Sequence, residues 1–406
     1  MSQSVLVVNS GSSSLKYQVV DGDGQALAVG LIERIGHGGG HLTHTAAGTQ
    51  FSTDIKVPDH HEAMAAMMAA FTEYGPTLTD LNIVAVGHRV VQGGDLFTGA
   101  VLIDDAVLAA IDELATLAPL HNPGNAAGIA VARAQFPDLP HVAVFDTAFH
   151  STIPPVAHTY ALDRDIARTH RIRRYGFHGT SHSYVSREAA RFLGREVEDV
   201  NLIVLHLGNG ASACAVRGGQ SVDTSMGLTP LEGLVMGTRT GDIDPAIAFH
   251  LSRSAGMDID ALDSLFNKRS GMLGLTGRTD MRDIESAAQA GDADARLALD
   301  IYYYRLRHYL GAYTAVLGRV DAIVFTAGIG ENSATVRAGA VAGLEGLGIV
   351  LDPAANLAGH RPRDISRADS RVRLLVIGTN EEAEIARQAA QVAATGLDEI
   401  SDVSST

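Results

Sequence analysis

The chain has 406 residues, too many for one ordinary hydrophobic core, and this length favours two domains with a cleft between them. Hydrophobic residues make up 46% and charged residues 19%, as in a globular protein, and no run of about eighteen apolar residues lacks a charge or a breaker, so no membrane span is expected. The net charge of −15 argues against nucleic acid or an anionic membrane as a partner, because either requires a basic face.

Met1-Ser2-Gln3-Ser4-Val5 has no basic region, and the apolar run after it ends at Asn9 without a cleavage-like site, so a cytoplasmic location is expected. A single cysteine, Cys214, rules out an internal disulfide framework or a cysteine zinc cluster. It lies in an alternating, strand-like run and reads as an inert core thiol. Lysine occurs only at Lys16, Lys56 and Lys268, which makes Lys16 conspicuous.

In chain order, the N-terminus reads as a strand over 5–9, a Gly/Ser turn, a strand over 15–20, the turn Asp21-Gly22-Asp23-Gly24 and a strand over 26–32. These make an antiparallel meander. The turn's carboxylates are spaced somewhat like a calcium loop but lack the closing glutamate, so a plain hairpin turn is expected. His37, His41 and His44 surround the run Gly38-Gly39-Gly40, which predicts a flexible loop and not a metal site. Then come a helix over 62–71, a strand over 83–87, a helix over 105–114, a helix after Asn122-Pro123, and a strand over 142–145 ending on Asp146.

The opening pattern then recurs. A strand over 202–207 leads to Gly208-Asn209-Gly210-Ala211-Ser212, then to a strand over 213–217 and a Gly218-Gly219 turn. A long helix over 293–317 follows, whose Tyr-rich part reads equally as core or as a dimer face. Beyond it lie a strand over 322–326, a loop Gly328-Ile329-Gly330-Glu331-Asn332, another helix, and a strand over 372–377 running into a helix from about Asn380. Meander first and βα units second, done twice, predicts an α/β protein of two duplicated domains. Each has a mixed sheet opening on a β-meander and flanked by helices. Ile153-Pro154-Pro155 marks the boundary, giving residues 1–150 plus a returning C-terminal helix, 385–406, as one domain and 151–384 as the other.

Three glycine loops each follow an apolar strand: Gly11-Ser12-Ser13-Ser14, Gly208-Asn209-Gly210 and Gly328-Ile329-Gly330. Backbone amides in such turns suit phosphate oxygens, although each alone also reads as an ordinary turn. No lysine is preceded by glycine, which excludes the common P-loop, and the loop at Gly208 leads into a strand instead of a helix, which disfavours a dinucleotide fold. Ser12, Ser14 and Lys16 recur at period two, so an extended segment would present two hydroxyls and an ammonium on one face. Arg89, Asp146 and Asn380-Glu381-Glu382 each end a strand or open a helix. Arg89 and Asp146 also read as a structural ion pair, and Asn380 as a helix cap. His178, in Phe177-His178-Gly179-Thr180, and Arg239, in Met236-Gly237-Thr238-Arg239-Thr240-Gly241-Asp242, would suit a phosphoryl group in transfer.

The run from Val5 to Lys16, with Asn9-Ser10-Gly11-Ser12-Ser13-Ser14 at its centre, closely resembles the opening signature of acetate kinases, and Tyr175-Gly176-Phe177-His178-Gly179-Thr180-Ser181-His182 resembles their second. Gly87-His88-Arg89-Val90-Val91, His121-Asn122-Pro123, Phe145-Asp146-Thr147-Ala148-Phe149-His150 and Thr379-Asn380-Glu381-Glu382 match as well, so the resemblance spans the chain. It implies the duplicated actin-like (ribonuclease H-like) superfold of sugar kinases and hexokinase, closure of two domains on ATP, and a homodimer. It would place Mg²⁺, with Mn²⁺ as a substitute, at Asn9 and Glu382, and the phosphates at Ser12, Ser14 and Lys16. ATP or ADP would be lined by His206, Leu207, Gly208, Asn209, Gly210, Asp280, Met281, Arg282, Gly328, Ile329, Gly330, Glu331 and Asn332. Arg89 would bind the acetate carboxylate, Asp146 would stand beside the reacting groups, and His178 and Arg239 would stabilise the transition state. Val91, Leu120, Phe177 and Pro230 would form the methyl pocket.

A carboxylic acid with a pKa of about 4 to 5 is already ionised at neutral pH, so such a nucleophile needs no general base. Asp146 is therefore expected to orient groups or hold metal. One methylene changes pocket binding by about 1 to 3 kcal/mol, which keeps propionate and butyrate as alternatives to acetate. Propionate-preferring relatives tend to carry a smaller residue where Val91 stands, so the expectation leans to acetate, with acetyl phosphate as product. An actin-like nucleotide switch shares the superfold but has no use for Arg89 and an apolar pocket.

Overall fold

The computed structural model describes residues 3–403, with side chains described to residue 395; residues 404–406 of the expected final helix lie outside the described residues. The chain divides into two compact units, Met1–Phe149 with Asn380–Thr406, and His150–Thr379.

In the first unit, β1 (Ser4–Ser10), β2 (Ser14–Asp21) and β3 (Ala26–Glu33) form the expected antiparallel meander, and β4 (Gly40–Ala46) and β5 (Thr49–Ile55) extend it. On the other side of β1 lies β6 (Ile83–Val90), parallel to it; β7 (Val101–Leu102) and β8 (His141–Phe145) complete the spatial order 5-4-3-2-1-6-8-7. Between β2 and β3, Asp21 Oδ1 accepts from the backbone N–H of Asp23 at 3.0 Å and of Gln25 at 2.8 Å, so this carboxylate is used by the hairpin turn itself.

The segment holding His41 and His44 is a strand and not the flexible loop suggested by the glycine run. In β4 the buried residues Gly40, Leu42, His44 and Ala46 alternate with partly exposed ones, the period-two pattern of a half-buried strand. His44 faces inward, where the Tyr17 hydroxyl lies 2.8 Å from Nδ1 and the Gly75 carbonyl 2.8 Å from Nε2. His41 faces the other way, to Asp54 and Ser52, so the three histidines do not converge.

The sheet is covered on both faces. The C-terminal helix Glu381–Val403 lays Ile385, Ala386, Ala389 and Ala393 against Val5, Val7, Val142 and Val144. The helices His60–Tyr74 and Asn122–Gln135 cover the other face, with Met64, Met67 and Phe71 packed on Leu6, Val8 and Leu15. Burying such a side chain contributes about 1.5 to 3 kcal/mol, which is why the central parallel strands are near-continuous apolar runs.

In the second unit, β9 (Asn201–Leu207), β10 (Ala211–Arg217) and β11 (Gln220–Thr224) form the second meander. β12 (Ala322–Thr326), β13 (Arg363–Asp364) and β14 (Arg373–Val376) complete the order 11-10-9-12-14-13. Strand for strand this repeats 3-2-1-6-8-7: three antiparallel strands, two parallel neighbours, then an antiparallel edge strand. The duplication expected from the two glycine-led meanders therefore extends through six strands. The helix Ala293–Leu317 buries Ala295, Leu299, Tyr302, Leu306, Leu310, Tyr313 and Leu317, a helical stripe that makes one face core.

The expected loop at Gly328 to Asn332 is instead a short helix, Ala327–Asn332. Two glycines give it poor intrinsic propensity, but the buried Arg337 guanidinium donates to the Gly330 and Glu331 carbonyls at 2.9 and 3.0 Å, and these bonds outweigh the propensity. Among the described residues no helix is long and apolar enough to cross a membrane.

Candidate functional site

The first half-site gathers where β1, β6 and β8 end. Parallel register sets Val8 beside His88, and Arg89 and Val90 beside Val144 and Phe145, so Asn9, Arg89 and Asp146 come to one edge, where open α/β sheets collect ligands. Asn125 ties this edge together: its side-chain N–H donates to the Ser10 carbonyl at 2.6 Å, and its Oδ1 accepts from the Val91 N–H at 3.1 Å. Gly128 lets that helix approach, since a Cβ there would lie 2.3 Å from Ser10 Cβ.

Arg89 and Asp146 form a two-pronged ion pair, Nε to Oδ1 at 3.0 Å and Nη2 to Oδ2 at 2.6 Å, with the side chains 22% and 2% exposed. The ion pair that the sequence allowed is therefore formed. Asp146 holds the guanidinium plane rigid and raises the Arg89 pKa, so its charge is permanent; Glu381 and Glu382 act in the same direction and burial opposes. Nη1 makes no hydrogen bond among the described residues, which leaves one edge of the fork for another acceptor. Among the charges around this group is Glu381, which the sequence offered only as part of the run Asn380-Glu381-Glu382 and without a role of its own. Burial raises its pKa, against Arg89 and Lys16 and with Asp146 and Glu382. Its adjacency to Glu382 was the available signal.

Asn9 and Lys16 are cross-strand partners, and the Lys16 ammonium pairs with the Glu382 carboxylate in the first turn of the C-terminal helix. Asn9 carries an amide oxygen and Glu382 a carboxylate. These are hard oxygen donors, which suit Mg²⁺, an ion usually held by one or two carboxylates together with substrate phosphate. Ser14 and Lys16 share one face of β2 as the period-two reading required, but Ser12 precedes the strand in an exposed bend. Its side chain is therefore set by the turn and not by strand alternation. Asn380 caps the helix, accepting from the Ala383 N–H at 3.0 Å.

The second unit holds a cavity of about 440 Å³. Of the residues expected around a nucleotide, Gly208, Asn209, Asp280, Met281, Arg282, Gly328, Ile329 and Asn332 line it. His206, Leu207, Gly210, Gly330 and Glu331 do not: Leu207 is core, Gly330 is a buried carbonyl partner of Arg337, and Glu331 pairs with Arg361 at 2.6 Å. Thr279, Glu285 and Ser333 line the cavity and escaped the sequence reading. Glu285 lies one turn beyond Met281 on the helix Met281–Gln289, and Ser333 directly follows Asn332, so helical spacing was the usable clue.

Beside the Gly208 loop stand the two other groups of interest. A Cβ on Gly210 would lie 3.5 Å from His178 Nε2 and 3.7 Å from Arg239 Nη1, so both side chains converge there. Arg239 donates to the Pro230 carbonyl at 3.0 Å, and burial lowers its pKa. His178 stacks on His206 with centroids 4.1 Å apart. The apolar set is divided between the units: Val91 and Leu120, the latter 56% exposed, lie in the first, and the buried Phe177 together with Pro230 in the second. Cys214 is fully buried on β10 with its thiol pKa pushed up by burial, an inert core residue.

Residues 4–387 match the model of the acetokinase family. An acetate kinase of Leifsonia xyli subsp. xyli is 59% identical over 394 residues, 97% of this chain and 99% of that protein. The crystal structure of Porphyromonas gingivalis acetate kinase is similar with a TM-score of 0.91 at 41% identity, covering 96% of this chain and 99% of that one. That of a propionate kinase from Francisella tularensis subsp. tularensis SCHU S4 gives 0.90 at 40% identity, covering 96% and 100%. The chain therefore belongs to the acetokinase family.

Proposed function

We propose that this protein is an acetate kinase, moving the γ-phosphoryl group of ATP to acetate and back by direct in-line transfer, with acetyl phosphate and ADP as products. The observation that carries the proposal is the Arg89 guanidinium, locked by buried Asp146 with Nη1 left outside the pair. A planar fork fixed this way is matched to a small carboxylate. Relatives named acetate kinase at 50–59% identity over nearly the whole chain support the same substrate.

In this reading Arg89 holds the acetate carboxylate, and Val91, Leu120, Phe177 and Pro230 surround its methyl group. The cavity at Gly208, Asp280 to Arg282 and Gly328 to Asn332 takes the nucleotide, with His206, Leu207, Gly210, Gly330 and Glu331 as its supporting wall. Ser12, Ser14 and Lys16 take phosphate oxygens. Two anions must meet in line, so the chemistry is carried by charge and positioning; Arg89, Lys16, His178 and Arg239 supply them. Asn9 and Glu382 would hold Mg²⁺ or Mn²⁺, which on binding neutralises phosphate charge. The nucleophile arrives ionised, so Asp146 orients Arg89 and takes no proton. Asp146→Asn would then lose turnover at every pH, and full rescue at high pH would contradict the orienting role.

The site draws on the cytoplasmic ATP pool, and the net charge of −15 disfavours nucleic acid and anionic membrane as partners. We propose a homodimer, supported by the helix Ala246–Ala255, which buries none of its residues and exposes Ile247 and Phe249. Propionate is the second reading, favoured by the likeness to the Francisella propionate kinase structure. Measuring ADP release as acetate is titrated tests the kinase reading: release that rises and saturates supports it, and release indifferent to acetate would make the protein a nucleotide switch.

A further inference from the structure

His178 heads the helix Gly179–Phe192 in a left-handed backbone conformation, φ 58°, and its Nδ1 lies 2.9 Å from Ser212 Oγ on β10. The same hydroxyl lies 2.8 Å from Nε2 of His182, one turn along the helix. Ser212 and His182 are both fully buried, and His182 Nδ1 has no hydrogen-bond partner among the described residues.

A serine hydroxyl has one hydrogen to donate, and His182 decides where it goes. Burial, reinforced by His150 and His206, lowers the His182 pKa far below the ordinary histidine value, so the ring is neutral and carries a single N–H. On Nδ1 that hydrogen would be a buried donor with nothing to accept it. On Nε2, the position a neutral histidine ring intrinsically favours, it is given to Ser212 and leaves only an unused lone pair, the more tolerable omission. Ser212 thus accepts from His182 and turns its own hydrogen to His178 Nδ1.

We infer that Ser212 and His182 are positioning residues that hold His178 as the neutral Nε2–H tautomer, so that this ring offers a hydrogen bond and not a full charge to the transferring group. The surroundings point the same way. His178 faces His206 in a stack, His182 through Ser212, and Arg239 across the Gly210 backbone, where both Nε2 and the guanidinium converge. A second full positive charge beside the permanent charge of Arg239 would be repelled. The cation at this point is then arginine, and the histidine is a directional donor. Only the purpose assigned to His178 rests on the kinase reading; its tautomer does not.

Long-range ¹H–¹⁵N correlation spectra of the full-length protein labelled with ¹⁵N-histidine test this directly, with His178 assigned by its loss in His178→Gln. The expected pattern is a protonated Nε2 and a bare Nδ1 that persist from about pH 8 down to about pH 6. In Ser212→Ala, which removes the hydrogen from Nδ1, His178 becomes a mixture of tautomers and titrates at a higher pH. Its kcat falls on the order of tenfold with KM for both substrates within about twofold, and its pH–rate profile shifts with the histidine. An imidazolium or an Nδ1–H pattern in the parent protein at neutral pH overturns the inference, as does an unchanged His178 spectrum in Ser212→Ala. Absence of acetate-dependent turnover would remove the kinase reading but leave the spectra to decide the tautomer.

Discussion

Arg89 shows how one side chain can be both scaffold and tool. Two of its donors satisfy a carboxylate that is 2% exposed, and the pair fixes the plane in which the remaining edge is presented. Arg89→Lys keeps the charge but loses the fork, so kcat/KM for acetate is expected to fall about 100-fold while KM for ATP stays nearly constant; steady-state kinetics check this. Arg89→Ala leaves Asp146 buried and unpaired and is expected to cost about 3 kcal/mol of stability as well. Val91→Ala enlarges the proposed methyl pocket and is expected to move the propionate-to-acetate ratio of kcat/KM up by about tenfold, within the range one methylene permits. Arg89 and Asp146 were legible in the sequence because each stands where an apolar strand stops at a polar residue, whereas Val91 entered only through the family resemblance. Glu285, Ser333 and Ser212 were not legible, since their positions follow from a helix face, a cap and a contact between a strand and a helix that no motif announces.

At the level of elements, the site depends on how closely helices approach strand ends. Gly128→Ala places a methyl 2.3 Å from Ser10 Cβ, so either the helix Asn122–Gln135 or the end of β1 must shift. The expected loss is about 1 to 3 kcal/mol, read by chemical denaturation. Buried histidines add a pH dependence. His88, His141, His150 and His182 all have lowered pKa values, chiefly from burial, that of His150 falling from 6.5 to about 4. The unfolded chain binds protons near 6.5 and the folded chain does not until far lower. Stability is therefore full above that value and declines as pH falls towards about 4, so the denaturation midpoint at about pH 5.5 should lie below that at about pH 7.5. Equal midpoints would show that these rings are accessible to protons in the fold. Strands such as β1 and β12 were legible because burial on both faces writes an unbroken apolar run. β4 was misread because Gly38-Gly39-Gly40 looks like a break, although Gly40 is the buried start of the strand. The helix Ala327–Asn332 was missed because its stability comes from Arg337, distant from the glycines that suggested a loop.

Across the whole molecule, the two units repeat one six-strand plan and fill it differently. The turn after β1 carries Ser12 and leads to Lys16, whereas its counterpart after β9 carries Gly208 and Asn209, which line the cavity. The end of β8 bears Asp146, while β14 runs on to the buried Ile377. In the sequence the duplication showed as two glycine-led meanders, each followed by βα units; the three further strands of each copy share order and direction but no motif. The proposed reaction joins a phosphoryl donor to a small carboxylate. Trapping the acyl phosphate with hydroxylamine, in parallel incubations with ATP and acetate, propionate or butyrate, tests it most directly. Acetohydroxamate is expected in stoichiometric step with ADP, with less product from propionate and least from butyrate; ADP formed without any hydroxamate would rule the reaction out.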